Sequence, residues 1–316
     1  MYTPDFHYHK AGSVAEAVEM LGHHEDSRLL AGGHSLLPLM RLRLARPATL
    51  IDIGGLDELR GIRVHDGHIH IGALTTHGEI ARSHDVQHAN PLVAEVAGGI
   101  GDTQVRNRGT IGGNLAHADP ASDWGTIITV MEGSVDVQGP NGSRTIGIAD
   151  FFQGAFETAV ADDEIITGVR VPTLVRQGNG HGHEHGQDHG HDHGHDHGAE
   201  SISGEVGEYA KMSHPASFYP VIGGAVVINA DGGRCVSARV AVGGLVPTPR
   251  RAPSVEAALA GQELTAGNLE AAANQLSNDL GDEIIGDVFA SADYRRAIAP
   301  VEVKHAMLHA IGLAHH

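Results

Sequence analysis

Ala31-Gly32-Gly33-His34-Ser35-Leu36-Leu37-Pro38 and Gly109-Thr110-Ile111-Gly112-Gly113-Asn114-Leu115 are the stretches on which the reading of this chain turns. Each sets a glycine pair where the chain changes direction. Paired glycines let a backbone approach a ligand closely and aim successive N–H groups at one point. The same pairs also serve tight turns, and either loop taken singly fits both uses. Two such loops converging would hold the two phosphates of a dinucleotide without any basic residue. Neither loop follows G-x-G-x-x-G, and no G-x-x-x-x-G-K-S/T occurs in the chain. Rossmann and Walker-type phosphate sites thereby lose their main support.

Around the first loop the sequence predicts a small β–loop–α–β unit. Ser13 and Glu16 make a capping-box pair ahead of Val14, Ala17, Val18 and Leu21, which share one helical face. Arg28–Ala31 is a short strand, a helix follows near 36–44, and Leu50–Ile53 is a buried strand. Around the second loop, Ile62–Ile71 alternates about Asp66-Gly67 as a hairpin, and Asn90-Pro91 opens a helix. Val135–Val137 and Thr145–Ile148 flank a turn at Asn141-Gly142, and Ile165–Pro172 is a strand. Further on, Ala225–Asn229 and Cys235–Gly243 form an antiparallel pair around Asp231-Gly232-Gly233. Helices follow at about 254–260, 265–280 and 293–312, the last divided or kinked by Pro300. Strands followed by helices suggest a separate α+β domain.

Composition narrows the function. A net charge of −18 argues against a general nucleic-acid binder. One cysteine, Cys235, excludes a disulfide framework, a CxxC zinc site and a cysteine-ligated iron–sulfur cluster within this chain. The longest apolar run, Val221–Ile228, is too short for a transmembrane segment, and no signal peptide is apparent. The chain reads as soluble and cytoplasmic. Its 25 histidines are unevenly spread, with His181, His183, His185, His189, His191, His193, His195 and His197 in one tract. With nothing apolar to bury, that tract is expected to be a disordered insertion with incidental surface metal affinity rather than a catalytic metal site.

Taken together, the two loops, Asp119-Pro120-Ala121-Ser122-Asp123, Asp102–Gly109, Tyr209-Ala210-Lys211 and Asp293–Arg296 resemble the FAD-binding medium subunit of molybdenum hydroxylases. Within that family the likeness is nearest to aerobic, molybdenum-containing carbon monoxide dehydrogenases. The resemblance implies an α+β chain with a PCMH-type FAD-binding fold, made of two N-terminal α/β lobes (1–54 and 55–176). The insertion at 177–206 and a C-terminal domain of antiparallel sheet plus helices (207–316) follow. It implies non-covalent FAD, although His34 sits where some PCMH-type flavoproteins attach the cofactor covalently. Gly32, Gly33, His34, Ser35, Leu36, Thr110, Ile111, Gly112, Gly113 and Asn114 would contact it, mostly through backbone N–H groups. Asp123 would bond a polar part of it, Ile165 or Ile166 would pack beside the adenine, and Tyr209 and Lys211 would lie near the isoalloxazine. Locally, Asp123 also suits a helix cap, Tyr209 a core aromatic and Lys211 a solvated charge. Gln104 and Arg106 fit bracing of the second loop, and a lone loop histidine such as His117 fits a structural or exposed role. Met212-Ser213-His214-Pro215 departs from the family, which usually carries basic residues there.

The implied partners are a large molybdenum-cofactor subunit and a small subunit with 2Fe–2S clusters, in a dimer of heterotrimers that passes electrons to a quinone or another acceptor. Membrane association would come only through partners. An aldehyde or N-heterocycle hydroxylase, a stand-alone PCMH-type flavin oxidoreductase and a metal-delivery protein built on the His tract remain open alternatives.

Overall fold

The computed structural model describes residues 2–174 and 202–313; the His-rich tract at 181–197 lies outside them. The first lobe contains β1 (His7–Lys10), α1 (Val14–His23), β2 (Ser27–Leu30), α2 (Leu36–Arg41) and β3 (Thr49–Asp52). Its three strands form a parallel sheet in the order β1-β3-β2. Ser13 caps α1 by accepting from the Glu16 N–H. The Glu16 carboxylate takes the Gly12 N–H instead of closing the box on Ser13. Ala17, Ile51, Leu56 and Leu59 form the lobe's small core, which also takes Ile165 from the second lobe.

The second lobe begins with the hairpin β4 (Ile62–His65) and β5 (His68–Gly72), turning at Asp66-Gly67. Short helices follow: α3 (His77–Arg82), α4 (His84–Ala89), α5 (Pro91–Gly99), α6 (Thr103–Arg106), α7 (Ile111–His117) and α8 (Asp123–Val130). Then come β6 (Ser134–Gly139), β7 (Gly142–Gly147), α9 (Ile148–Phe151), the β8 (Phe152–Gly154) and β9 (Glu157–Thr158) pair, and β10 (Ile165–Pro172). The main sheet runs β4-β5-β10-β6-β7, antiparallel throughout.

The C-terminal sheet is β11 (Gly204–Ser213), β12 (Pro220–Asp231), β13 (Arg234–Gly243) and β14 (Arg250–Arg251), all antiparallel. β11 begins at Gly204, inside the 177–206 segment that sequence assigned to the insertion. Its residues are all half-buried, so no apolar–polar alternation marks it in the sequence. Helices α10 (Pro253–Leu259), α11 (Ala266–Ala273) and α12 (Ala292–Ala310) complete the chain. α12 runs unbroken through Pro300, so the expected division is absent. Ala299 and Val303, both fully buried, hold the helix on either side of that proline. Gly224 lets α12 lie against β12, since a Cβ there would stand 3.1 Å from Val303 Cγ2.

The sheet of this domain packs on both faces. Val226, Ile228, Val240 and Val242 pack with α10, α11 and α12. On the opposite face Ala225, Val227 and Ala241 join Trp124, Ile127 and Phe151 in the second lobe's core. Burial on both faces explains why β12 reads as a continuous apolar run. Among the described residues no helix is long and apolar enough to cross a membrane.

Candidate functional site

The first glycine loop leaves β2 and turns into α2 beside Gly54. Gly33 has φ +76°, a conformation that favours glycine. Among the described residues, the N–H groups of Gly32, Gly33, His34, Ser35 and Leu36 have no acceptor. Consecutive unpaired donors on one turn make an anion-binding concavity. Gly32 is also where the two loops meet: a Cβ there would fall 2.0 Å from the Arg108 carbonyl oxygen.

The second loop is built differently. Thr110 caps α7 by accepting from the Gly113 N–H, and the Asn114 N–H donates to the Thr110 carbonyl. Ile111 and Gly112 donate to the carbonyls of Thr75 and Ala73. The expectation that Ile111–Asn114 offer free N–H groups to a ligand is therefore corrected, because Ile111 and Gly112 donate to residues 75 and 73 and Gly113 and Asn114 donate to Thr110. Gly112 is needed for that docking, since a Cβ would lie 2.6 Å from Ala73 Cβ and 2.8 Å from its carbonyl oxygen. Gly113 is exposed, and Asn114 accepts a hydrogen bond from the Ser122 hydroxyl.

Between the loops opens a cleft of about 340 Å³, walled by Ala31, Gly32 and Gly54 on one side and Thr76, Arg108 and Thr110 on the other. Arg60 and Arg82 also line it. The cleft between the loops is thus lined by basic residues that the sequence reading did not include. These arginines lie apart in sequence, and only the fold gathers them. The free donors of the first loop, the missing side chains at the loop junction and a cationic wall together fit a dinucleotide diphosphate.

Asp123, Tyr209 and Lys211, each expected to lie against the cofactor, bond to one another. Ser122, not Asp123, caps α8. Asp123 is 4% exposed. Its Oδ1 accepts from the Tyr209 hydroxyl at 3.0 Å and from Lys211 Nζ at 2.9 Å. Lys211 also donates to the carbonyls of Gly99 and Phe218. An ammonium has three protons, so all are used, and its charge is matched by the buried carboxylate. Lys211 therefore braces β11 to α5 and α8 and is not a free cation for a reduced flavin. Burial pushes the Asp123 carboxyl up, while Lys211 and Tyr209 pull it back. Burial and the Asp123 charge push the Tyr209 phenol well up.

Ile165 and Ile166 are 1% and 6% exposed, one in each lobe's core, which leaves neither side chain for packing on an adenine. His34 is exposed, and its Nε2 donates to the Gln104 carbonyl. Arg106 donates to the carbonyls of Ile100 and Gly101 and to the Thr103 hydroxyl, holding the turn before the second loop. His117 packs near the Phe156 ring, and burial lowers its pKa. His214, in the departing segment, packs on Phe289.

Sequence reasoning passed over His77. It is 2% exposed, and its Nδ1 accepts from Trp124 Nε1 at 3.1 Å. Burial, with the nearby His34 and Arg106 charges, lowers its pKa to about 4. Its backbone N–H donates to the Gly109 carbonyl, and a Cβ at Gly109 would meet its ring at 2.9 Å. A neutral His77 is thus the surface on which the second loop rests. A single histidine in an unlabelled helix carried no signal of this.

Residues 4–174 match the family described as the FAD binding domain in molybdopterin dehydrogenase, and residues 208–310 match the CO dehydrogenase flavoprotein C-terminal domain. The chain is 36% identical over 310 residues to the carbon monoxide dehydrogenase medium chain of Hydrogenophaga pseudoflava, covering 97% of each. It is 34% identical to the nicotine 6-hydroxylase medium subunit of Paenarthrobacter nicotinovorans, covering 98% of this chain and 99% of that one. Its fold matches a chain of the H. pseudoflava carbon monoxide dehydrogenase structure that lacks the Mo-pyranopterin moiety, with a TM-score of 0.86, 37% identity and full coverage of both chains. From its loops, its cleft and its fold over nearly the whole length, the chain belongs to the family of FAD-binding medium chains of molybdopterin dehydrogenases.

Proposed function

We propose that this chain is the FAD-carrying electron-transfer subunit of a molybdenum hydroxylase of the carbon monoxide dehydrogenase type. The observation that carries the reading is the cleft: the first loop, with five N–H groups that have no acceptor among the described residues, reaches it at Gly32, and the loop junction tolerates no side chain there. Gly32, Gly33, His34, Ser35 and Leu36 hold the diphosphate of FAD, with Thr110 contributing to the facing wall. Tyr209, Asp123 and Lys211 fix the position of β11 against α8. When bound, the flavin supplies the redox chemistry, so no nucleophile–base pair is required of the protein. With Cys235 alone, and that side chain buried, the chain supplies no cysteine set for an iron–sulfur cluster. Clusters and molybdenum cofactor therefore belong to a small and a large partner, in a dimer of heterotrimers that delivers electrons to a quinone or another acceptor. Substrate choice sits on the molybdenum partner, and the comparable likeness to a nicotine 6-hydroxylase medium subunit keeps an N-heterocycle as the second reading.

Purification from the native host through a tag remote from both loops tests this. FAD, molybdenum and iron co-eluting in fixed ratio support the assembly, with CO oxidation the next assay. FAD without either metal points to a stand-alone flavoenzyme, and absence of flavin overturns the reading. Acid precipitation is expected to leave the flavin in the supernatant; flavin retained in the pellet identifies a covalent link, with His34 the residue to examine.

A further inference from the structure

The chain as a whole is strongly acidic, at −18, yet the wall of its cleft is cationic. Its three lining arginines differ in how they are held. Arg60 is a brace, donating to the carbonyls of Gly54 and Leu74 across the floor of the cleft. The Arg82 and Arg108 side chains have neither a hydrogen bond nor an ion pair among the described residues. Glu79 is the one acid among the described residues lining the cleft. Its Oε2 is occupied, accepting from both the N–H and the hydroxyl of Thr76 at 2.7 Å to close the capping box of α3. Gly78 allows the Arg82 guanidinium to lie beside the cleft: a Cβ there would stand 3.1 and 3.2 Å from its terminal nitrogens and 3.0 Å from Asn107 Oδ1. Arg108 sits at the junction of the loops, its own carbonyl under Gly32.

Two guanidiniums with no ion-paired partner among the described residues, beside the unpaired N–H of Gly32 and with Glu79 the one carboxylate of the lining, make a site for a phosphorylated ligand. We infer that Arg82 and Arg108 clamp the diphosphate of the dinucleotide, so that the site takes the ADP half by charge, independently of the flavin ring. This rests on the FAD reading above and assigns to two side chains what backbone donors alone do not supply. The loop N–H groups set orientation, and the arginines set affinity and its salt dependence.

The test uses the full chain stripped of flavin, with FAD and ADP titrated by calorimetry between 50 and 300 mM salt. The wild type is expected to bind both. Arg82→Gln and Arg108→Gln are each expected to weaken both ligands by about tenfold and to flatten the salt dependence of Kd. Arg82→Lys is expected to recover part of the charge effect without the fork geometry. Thermal unfolding of each flavin-free variant should match the wild type, because neither side chain has an internal partner. FAD and ADP affinities unchanged in both Gln variants overturn the clamp while leaving the FAD site standing. Lost affinity with an unchanged salt dependence also overturns it, since that assigns the arginines a structural role. Failure of the wild type to bind FAD overturns the underlying reading instead.

Discussion

His77 illustrates how one buried side chain sets a pH response. Its pKa falls from the ordinary 6.5 to about 4 because the ring is enclosed and neutral, accepting from Trp124. The unfolded chain therefore binds a proton that the native state refuses between those two values. The stabilisation it preserves is complete above pH 6.5 and is lost as pH falls towards 4, amounting to about 3 kcal/mol. Urea unfolding of wild type and His77→Gln at pH 7.5 and 4.5 should show the variant less pH-sensitive, the gap between the two narrowing in acid. Lys211 is expected to matter through Asp123. Lys211→Met leaves a buried carboxylate unpaired and should cost about 3–5 kcal/mol, whereas Asp123→Asn combined with Lys211→Met should recover most of the loss. Thr126 shows the converse. Its hydroxyl is buried without a partner among the described residues, against Gly243, so Thr126→Val should raise stability by about 1 kcal/mol in urea unfolding.

Where elements join, the two glycine loops look alike in sequence and behave differently. In the first, glycines free the backbone: Gly32 meets Arg108 and Gly33 takes a positive φ, leaving donors for a ligand. In the second, Gly112 lets α7 pack onto residue 73, and the helix cap absorbs the donors. Gly112→Ala should therefore act mainly on stability, costing about 2 kcal/mol by overpacking against backbone. Gly32→Ala should instead act on bound flavin, forcing the loops apart at their contact. Flavin content per chain and the urea midpoint, measured together for both variants, separate the two roles. Equal flavin loss at unchanged stability in both would contradict this division.

The whole molecule is organised around a shared core rather than beads on a chain. The second lobe and the C-terminal sheet bury Trp124, Phe151, Ala225 and Val227 in one cluster, so they should unfold together. A fragment spanning 202–313 would expose Ala225, Val227 and Ala241 to water and should lack a stable near-ultraviolet circular dichroism signal. The first lobe has a much smaller cluster of its own, and hydrogen exchange should find it opening first.

The sequence by itself determined the local features: the capped helices at Ser13 and Asn90, the hairpins at Asp66-Gly67 and Asp231-Gly232, the glycine pairs and, through their spacing, the family. These depend on backbone preferences and near neighbours, which residue identity dictates directly. It also excluded cluster binding, since ligands that are absent cannot be supplied by folding. The tertiary structure alone decided which N–H groups stayed free, that Lys211 spends its charge on Asp123, that Arg82 and Arg108 face the cleft, and that β11 completes the C-terminal sheet. Each of these depends on groups far apart in the chain, such as Asp123 with Lys211 or Gly32 with Arg108. Whether a donor or a charge is available depends on what the fold brings against it, and a one-dimensional pattern does not contain that information.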